Sequence, residues 1–590
     1  MFDTLITGGQ VVDGSIDAEP VTADVGISDG RIAAIGDLKG TAARQTIDAD
    51  GALVTPAWVD IHTHYDGQVT WDDTLDPSAS HGVGTIVMGN CGVGFAPVAP
   101  GGERDLIELM EGVEDIPGTA LYEGMPWGSW NSYPEYLDLL ASRRYSLDIS
   151  SLIAHGAVRN FVMGERGRTN QAATEADMQA MSGIVEAALR AGAVGFSTSR
   201  ILGHRSIQGE PVPGTFANDA EILLLAQALK RAGSGVFQMI PSSTLGAGNE
   251  LAVEHSSLEQ EIALMKRISL TSGRPLTFTL FQVDDWADKW RDAIARCEEA
   301  NAEGAQIYPQ VGSRPTGLVM SLRTYHPFML KPTWKRLAEL PWAERLAALR
   351  QPQNRTAILS EANVDHPHPG SMEFGIANID YNFDNLFPIS GHSTYEPDRS
   401  DSLAARAARE GYTDEMGYLY DYLVDGDGDR FVILFFTNYS RYNLDAVREM
   451  QLSPTTVTGL SDAGAHVSLI FDAVNPTYQL TYWGRDRERG PTLPLPYLIH
   501  RQTARNAALF GFADRGLVRE GLRADLNVID FDRLALEELE LRSDLPAGGT
   551  RLMQGAKGYV ATLVNGAVTR RNGADTGARP GRLKRGAGAG

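Results

Sequence analysis

The chain has 590 residues, of which 43% are hydrophobic and 22% are charged, and its formal net charge at pH 7 is −23. The length is far more than one small core requires, and the composition is that of a globular protein. The acidic excess argues against a nucleic-acid-binding protein and against binding to an anionic membrane, because both partners require basic surface.

The sequence shows no sign of export or membrane insertion. Its first residues, Met1-Phe2-Asp3-Thr4, contain no basic segment followed by an apolar one, as a signal peptide would. The longest uncharged stretch, 82–102, is rich in Gly and Pro and is a poor membrane span. The two cysteines, Cys91 and Cys297, are too few and too far apart for a disulfide framework. We therefore expect a cytoplasmic protein.

Both chain ends are typical of β-structure. Near the start, short apolar runs surround Asp29-Gly30, a dipeptide that favours a tight hairpin. Similar runs return at 524–530 and 559–569, around Asn565-Gly566. We predict one small β-sandwich domain assembled from residues 1–57 and 506–570.

The middle of the chain alternates helical and strand patterns. One helix is predicted to begin after Thr174 and end at Gly192, and another to begin at Asn218 or Asp219 and end at Gly233. Eight segments have strand character, and eight βα units predict a closed (β/α)8 TIM barrel over 58–505. The candidate strands are 58–64, 85–89, 150–155, 193–198, 236–240, 276–281, 305–308 and 455–462. A ninth, 431–436, is expected outside the barrel.

Two further segments interrupt or follow this pattern. Residues 318–454 form a large insertion rich in aromatic residues, Pro and His, which makes it a candidate lid or substrate domain. Its aromatic side chains, such as Trp334, could exclude water from a site or form the insertion's own core. The tail, 571–590, is rich in Gly and Arg, and we expect it to be disordered.

The first barrel strand ends in His62-Thr63-His64. Strand side chains alternate between faces, so the two histidines point the same way and are well spaced to hold one divalent metal. The alternative is a pair of hydrogen-bonded polar residues at a strand end. The position favours a metal, because barrel chemistry takes place at the carboxyl ends of the strands.

Two other strand ends carry candidate ligands. Cys91 follows the second strand in a Gly-Asn-Cys-Gly turn, where it is either a small buried residue or a thiolate ligand. Asp462 follows the last strand, where it could bind metal and accept a proton from water, or cap the next segment. Barrel closure would place Asp462 next to the two histidines.

Several blocks together resemble the D-aminoacylase (N-acyl-D-amino-acid deacylase) branch of the metal-dependent amidohydrolase superfamily. They are 56–64, 82–97, Ala154-His155-Gly156-Ala157-Val158-Arg159, Gly195-Phe196-Ser197-Thr198, Asp514-Arg515-Gly516 and Ala524-Asp525-Leu526. The resemblance implies an amide hydrolase with one or two divalent metal ions, Zn²⁺ by preference. It places His62, His64, Cys91 and Asp462 at family metal or catalytic positions.

The chain departs from the family pattern on two strands. The fifth strand reads Phe237-Gln238-Met239-Ile240 where the family has Thr-His-Met/Ile-Arg. The sixth reads Thr279-Leu280-Phe281-Gln282 where the family has Ser-His-His-Lys. Two family histidines and the basic residue that meets the substrate carboxylate are therefore replaced. The number of metal ions and the substrate stay open.

Other residues are candidates for the lost roles. His155, His204 and His466 lie at or after strand ends and are replacement ligands or structural histidines. Arg314 either supplies the missing positive charge or is a surface arginine. The residues that we expect to contact substrate are Arg314, Tyr308, His155, Gln238 and Gln282.

We therefore predict a hydrolase that splits an amide-type C–N bond in a small molecule, an N-acyl amino acid or a related amide. Metal-activated water would attack, and Asp462 would accept its proton. The alternatives are a hydrolase of cyclic amides or N-carbamoyl compounds, and a metal-poor barrel that serves as a binding or assembly module. A homo-oligomer is a possible assembly. No nucleic-acid or membrane partner is expected.

Overall fold

The computed structural model describes residues 1–17, 19–242, 244, 255–390 and 393–588, which form a mixed α/β architecture. The strands fall into N-terminal, central and C-terminal groups. The N-terminal group is β1 (Phe2–Val11), β2 (Val21–Ser28), β3 (Arg31–Gly36), β4 (Ala43–Asp48) and β5 (Leu53–Pro56). The central group is β6 (Trp58–Asp60), β7 (Val83–Met88), β8 (Asp148–Ser151), β9 (Ile153–Ala154), β10 (Gly195–Ser199), β11 (Val236–Ile240), β12 (Leu276–Thr279), β13 (Ile307–Val311), β14 (Gly317–Met320), β15 (Leu386–Ile389), β16 (Phe431–Phe435) and β17 (Val457–Thr458). The C-terminal group is β18 (Leu526–Ile529), β19 (Ala535–Arg542), β20 (Arg551–Lys557), β21 (Tyr559–Val564), β22 (Ala567–Arg571) and β23 (Ala574–Asp575).

The α-helices lie between the first and the last groups of strands. They are α1 (Glu103–Glu114), α2 (Gly118–Gly124), α3 (Tyr133–Ser142), α4 (His155–Met163), α5 (Glu165–Arg168), α6 (Glu175–Ala191), α7 (Asp219–Ala232), α8 (Leu258–Ser272), α9 (Lys289–Ala302), α10 (Pro332–Ala338), α11 (Trp342–Leu349), α12 (Pro352–Ser360), α13 (Met372–Asn378), α14 (Leu403–Arg409), α15 (Glu415–Val424), α16 (Asp445–Leu452), α17 (Asn475–Thr481), α18 (Leu495–Gln502) and α19 (Ala504–Leu509). Within the described ranges, none of them combines the length and the apolar character that crossing a bilayer requires.

The two chain ends share one sheet of nine strands. Its order is β23-β22-β21-β18-β5-β1-β2-β3, and β4 pairs with β1. The link is β5, which pairs in parallel with β1 and antiparallel with β18, with Val54 opposite Val528. Buried residues such as Ile27, Val54 and Val528 form a core of their own. β19 and β20 form a separate two-stranded sheet.

The central strands are parallel and follow two sheets, β6-β7-β8 and β9-β10-β11-β12-β13-β17. Only Leu152 separates β8 from β9, and Thr63 forms a parallel bridge with Ala463 at the other junction. Counting β8 and β9 as one position, this gives the eight strand positions that the sequence predicted. The ninth predicted strand, β16, pairs antiparallel with β14 and β15 and lies outside this series, as expected.

Alternate residues of the parallel strands point to opposite sides. One set, which includes Val59, Val87, Val236 and Val457, forms an apolar cluster with Phe510. The other set, such as Phe237 and Leu276, packs with helix residues in the largest core. The parallel strands thus have an inner face and a helix-covered outer face, and their carboxyl ends carry the candidate site.

The two predicted helix starts are confirmed, because α6 begins directly after Thr174 and α7 directly after Asn218. Thr174 and Asp177 cap α6 reciprocally, since Asp177 N donates to Thr174 Oγ1 at 3.2 Å and Thr174 N donates to the Asp177 carboxylate at 2.8 Å. Asn218 caps α7 through Glu221 N at 3.0 Å. These caps satisfy amide groups that a helix N-terminus leaves unpaired.

The insertion at 318–454 has its own apolar core. Buried residues from its helices and strands, such as Leu349, Leu403, Leu423 and Val432, cluster together. Trp334 is among them and is 6% exposed, so it belongs to the insertion's core. Other residues of the insertion, such as Phe387 and Ile433, belong to the largest core, so the insertion is also packed onto the rest of the chain.

The C-terminal tail differs from the prediction of disorder. Of residues 571–590, the structure describes 571–588: β23 extends the nine-stranded sheet, and the residues from Gly581 onward lie beside β8. Gly581 bridges Tyr145, and Leu583 bridges Ile149 beside β8. A Cβ on Gly581 would lie 2.1 Å from Leu147 O, so glycine is what permits this approach. The glycine-rich composition here serves close backbone docking.

Candidate metal centre

His62 and His64 lie just beyond β6, and both are 1% exposed. His64 N donates to Ala463 O at 2.8 Å, and Thr63 Oγ1 donates to Val87 O at 2.9 Å. The segment is thus held between the second strand and the loop after the last one. The two imidazoles share one side of the chain, with ring centroids 5.5 Å apart.

Cys91 reaches the histidines from the turn after β7. Its Sγ lies 3.3 Å from His62 Nε2 and 3.7 Å from His64 Nε2. The turn depends on Gly89, which has a φ of 83° and whose Cβ, if present, would lie 2.3 Å from Leu152 O. Cys91 itself has a φ of 57°, a conformation that non-glycine residues adopt rarely. Burial raises the pKa of the Cys91 thiol well above its usual value.

Asp462 completes the group from the loop after β17. Its Oδ1 lies 3.2 Å from His62 Nε2 and 3.4 Å from His64 Nε2. Asp462 N donates to His62 O at 3.1 Å, and its φ of 46° is also in the left-handed region. Its side chain is 18% exposed, whereas the histidines are buried. Asp462 is therefore the member of the group that solvent and a substrate can reach.

Two residues that the sequence analysis missed orient the histidines. Glu114 ends α1, is 1% exposed and places Oε1 3.3 Å from His64 Nδ1, an ion-pair contact without hydrogen-bond geometry. Gln310, on β13, places Oε1 2.7 Å from His62 Nδ1. Partners of this kind fix the ring orientation and the tautomer of metal-binding histidines. A carboxylate at helical spacing from apolar residues is the signal that could have found Glu114, since it lies four residues after Met110 and both are buried in α1.

Buried carboxyl groups surround the histidines. Burial raises the pKa of Asp60 to about 7, of Asp66 to about 6 and of Glu114 to about 7. Burial also lowers the pKa of His62 to about 4. For His64, burial acts in the same direction, but Glu114 and Asp462 outweigh it and raise the pKa to about 9. A bound cation would favour the ionised form of these carboxyl groups and so offset the effect of burial.

The donor set fits a divalent metal. The ligand atoms of His62, His64 and Cys91 all lie within 4.8 Å of one another, and all three residues are buried. Imidazole and thiolate donors are those that zinc prefers in proteins. Within the described part of the chain, no second group of three such residues comes this close.

The structure brings one other predicted residue to this cluster. Gln238, on β11, accepts a hydrogen bond from Cys91 N at 3.0 Å through its Oε1. Gln238 therefore supports the turn that carries the thiol. Gln282 lies beyond the end of β12, where its N and Nε2 donate to Asn438 Oδ1 and Ala287 O at 2.9 and 3.0 Å.

Three predicted substrate contacts have other partners. His155 is satisfied on both nitrogens, by Thr198 Oγ1 and by Glu221 Oε1, each at 2.9 Å. Tyr308 packs against the apolar cluster on the inner face of the strands. Arg314 is 2% exposed, pairs with Asp472 at 2.7 Å and lies 3.9 Å above the Tyr395 ring, so its charge is neutralised within the protein.

The two remaining histidines lie at the entrance. His466 Nε2 is 3.4 Å from Glu114 Oε2, and its side chain is 16% exposed. His204 Nδ1 is 3.0 Å from Ser199 Oγ. Burial lowers the pKa of His466 to about 4 and that of His204 to about 3. His466 thus shares Glu114 with His64 and links the entrance to the cluster.

Comparisons with known proteins agree with this arrangement. A 27% identical protein of Mycobacterium tuberculosis, whose function is uncharacterised, aligns over 97% of this chain and 92% of its own length. The D-aminoacylase of Alcaligenes xylosoxydans xylosoxydans is 34% identical over a shorter stretch, 33% of this chain and 37% of the relative.

A solved structure shares the fold. It is the N-acyl-D-glutamate deacylase of Bordetella bronchiseptica, complexed with zinc and a phosphonate inhibitor that mimics the tetrahedral intermediate. It superposes with a TM-score of 0.63 at 24% identity, and the alignment covers 99% of each chain. The family model described as the amidohydrolase family matches residues 45–570. The chain therefore belongs to the amidohydrolase family and is a hydrolase that acts on non-peptide C–N bonds.

Proposed function

We propose that this protein is a metal-dependent hydrolase of an amide-type C–N bond in a small molecule, an N-acyl amino acid or a related amide. The observation that carries the proposal is the buried group of His62, His64 and Cys91, with the partly exposed Asp462 beside both imidazoles. Idle ligands clustered in this way have no packing rationale. We further propose that the eight parallel strand positions close into a (β/α)8 barrel around this group.

His62, His64 and Cys91 would hold the metal, with Asp462 at its accessible side. A divalent ion at such a site supplies Lewis-acid polarisation of a carbonyl and lowers the pKa of a water molecule toward ~7. Zinc is the ion we propose, because the donors suit it and the similar Bordetella deacylase was solved with zinc.

The protein's own groups do the remaining work. Asp462 accepts the proton of the attacking water at a carboxylate oxygen and returns it to the leaving nitrogen. Gln310 holds the His62 ring by a hydrogen bond at Nδ1, and Glu114 faces Nδ1 of His64 as a charge partner. The buried surroundings exclude bulk water and strengthen these interactions.

Elemental analysis of the purified protein, beside a screen of N-acyl, N-carbamoyl and cyclic amides, tests the proposal. We expect a divalent metal near one equivalent per chain and turnover of at least one amide. Trace amounts only of zinc, iron, manganese and cobalt, with no turnover, would replace the proposal by a metal-poor binding module.

A further inference from the structure

Four polar side chains on neighbouring parallel strands each have a buried atom without a protein hydrogen-bond partner. The atoms are Gln238 Nε2, Thr277 Oγ1, Thr279 Oγ1 and Gln310 Nε2. Each residue is at most 4% exposed. Buried polar atoms are nearly always hydrogen-bonded to protein or to water, so a set of four on adjacent strands offers hydrogen bonds to water or to a polar group of a ligand.

The four side chains share the inner face of the strands. Val236 and Tyr308 belong to the inner apolar cluster, so Gln238 and Gln310, two residues further on, point the same way. The register aligns Gln238 with Thr277 and Thr279 with Gln310. The four groups therefore occupy two successive rows, Gln238 and Thr277 level with Tyr308 and then Thr279 with Gln310, which we together call the amide layer.

The amide layer adjoins the metal ligands. Gln238 accepts from Cys91 N through Oε1 at 3.0 Å, and Gln310 turns Oε1 to His62 Nδ1 at 2.7 Å. Because the Cys91 N–H can only donate, Gln238 must present its NH₂ group to the interior. Gln310 does the same when His62 carries its proton on Nδ1, as a ligand through Nε2 does. The layer thus offers two amide donors and two hydroxyl groups.

Charge decides which substrate group suits these donors. The four side chains of the amide layer, two glutamines and two threonines, are all uncharged. Arg314 is already neutralised by Asp472. A carboxylate bound to the amide layer would find no cationic side chain there, whereas a carbonyl oxygen accepts hydrogen bonds without adding charge.

We propose that the amide layer binds a carbonyl oxygen of an uncharged substrate group, a carboxamide or a ureido group, beside the scissile bond. This inference rests on the proposed amide hydrolysis and names its substrate class.

A matched pair of substrates tests it in the wild-type protein. N-acetyl-D-methionine and N-acetyl-D-methioninamide differ only in carboxylate against carboxamide. We expect kcat/KM for the carboxamide to exceed that for the acid by about tenfold or more. Equal values, or a preference for the acid, would overturn the inference and leave amide hydrolysis standing. Failure to cleave any amide, in a protein without metal, would overturn both.

Isosteric variants locate the effect. Thr277→Val and Thr279→Val remove hydroxyls that touch no metal ligand, so metal content should stay at the wild-type level. We expect KM for the carboxamide to rise about 3- to 10-fold, with a smaller change in kcat. Thr481→Val, at a buried threonine whose hydroxyl donates within α17, is the matched control. Unchanged KM in both test variants would contradict the proposal, and the substrate pair decides the matter should either variant fail to fold.

Discussion

His64 and His155 occupy similar places and have different surroundings. Each follows a parallel strand, each is at most 1% exposed, and each meets a buried glutamate, Glu114 at 3.3 Å or Glu221 at 2.9 Å. The two histidines differ at the ring nitrogen that does not face the glutamate. In His155 it is paired with Thr198 Oγ1, whereas in His64 it faces Cys91 Sγ at 3.7 Å and Asp462 Oδ1 at 3.4 Å.

The glutamates differ as well. Glu221 has Arg159 as a counter-charge at 3.0 Å, while Glu114 has only histidines, His64 and His466, among its ion-pair partners in the described residues. A histidine whose two nitrogens and neighbouring charge are all satisfied by protein is structural. A histidine whose second nitrogen meets a thiol and a carboxylate is one that we expect to bind metal. Four measurements test this difference between the surroundings of His64 and those of His155.

The largest effect is expected for Asp462→Asn, which keeps the shape of the side chain and removes the proton acceptor. Turnover should fall by ~10²–10⁴, the range of positioned acid–base groups. Steady-state kinetics with metal content measured in parallel check this. Asp138→Asn, at an exposed side chain, is the control. Near-full turnover of metal-loaded Asp462→Asn would assign the proton to another group, and His466 would be the first to test.

Metal removal should lower the stability of the wild-type protein and leave that of a variant lacking a metal ligand unchanged. A ligand at 100 times its Kd stabilises the folded state by about 2.7 kcal/mol, so chelation should lower the melting temperature. In His62→Ala the same treatment should have little effect. Scanning calorimetry with and without chelator measures both. Equal shifts in the two proteins would show that chelation acts elsewhere.

Glu114→Gln should weaken metal binding by about 10- to 100-fold, as loss of a partner that orients a ligand does. The matched variant, Glu221→Gln, removes the corresponding charge beside His155 and should leave the metal affinity unchanged. Competition with a calibrated chelator gives both affinities. If Glu221→Gln weakens metal binding as much as Glu114→Gln does, the proposed difference between the two histidines is wrong.

The smallest effect is expected for His155→Ala. The variant loses two buried hydrogen bonds, each worth about 1 kcal/mol, while Arg159 still pairs with Glu221. Urea unfolding should show a free energy of unfolding lower by about 2 kcal/mol, and elemental analysis should show unchanged metal. Loss of metal from this variant would place His155 in the site.

Local chemistry made much of the fold predictable. Thr174 and Asn218 mark helix starts because their side chains accept from free amides, and all eight predicted strands overlap observed strand positions. The domain boundaries and the sandwich layering of the chain ends stay predictions. The tail was mispredicted because its Gly- and Arg-rich composition indicates a flexible chain but does not indicate whether another part of the protein binds it.

The site was predictable only where strand ends carry the signal. His62, His64, Cys91 and Asp462 each follow a strand, and the structure brings them together. Glu114 arrives from a helix 50 residues after His64, a contact that no local pattern encodes. Arg314 and Tyr308 also lie near strand ends. Tertiary packing, however, pairs Arg314 with Asp472 and places Tyr308 against the inner apolar cluster. The metal and substrate roles stay predictions.

The pairing of β5 with β18 has a consequence for the protein's synthesis. Leu53–Pro56 find their antiparallel partners at Leu526–Ile529, so the first strands must wait for some 470 residues to follow. At about 5–20 residues per second this takes roughly 25–95 s, during which β5 has an unpaired edge on the nascent chain. Exposed edges of this kind invite pairing with other chains. While the chain is still on the ribosome, this N-terminal edge is therefore one that a chaperone would protect from pairing with other chains.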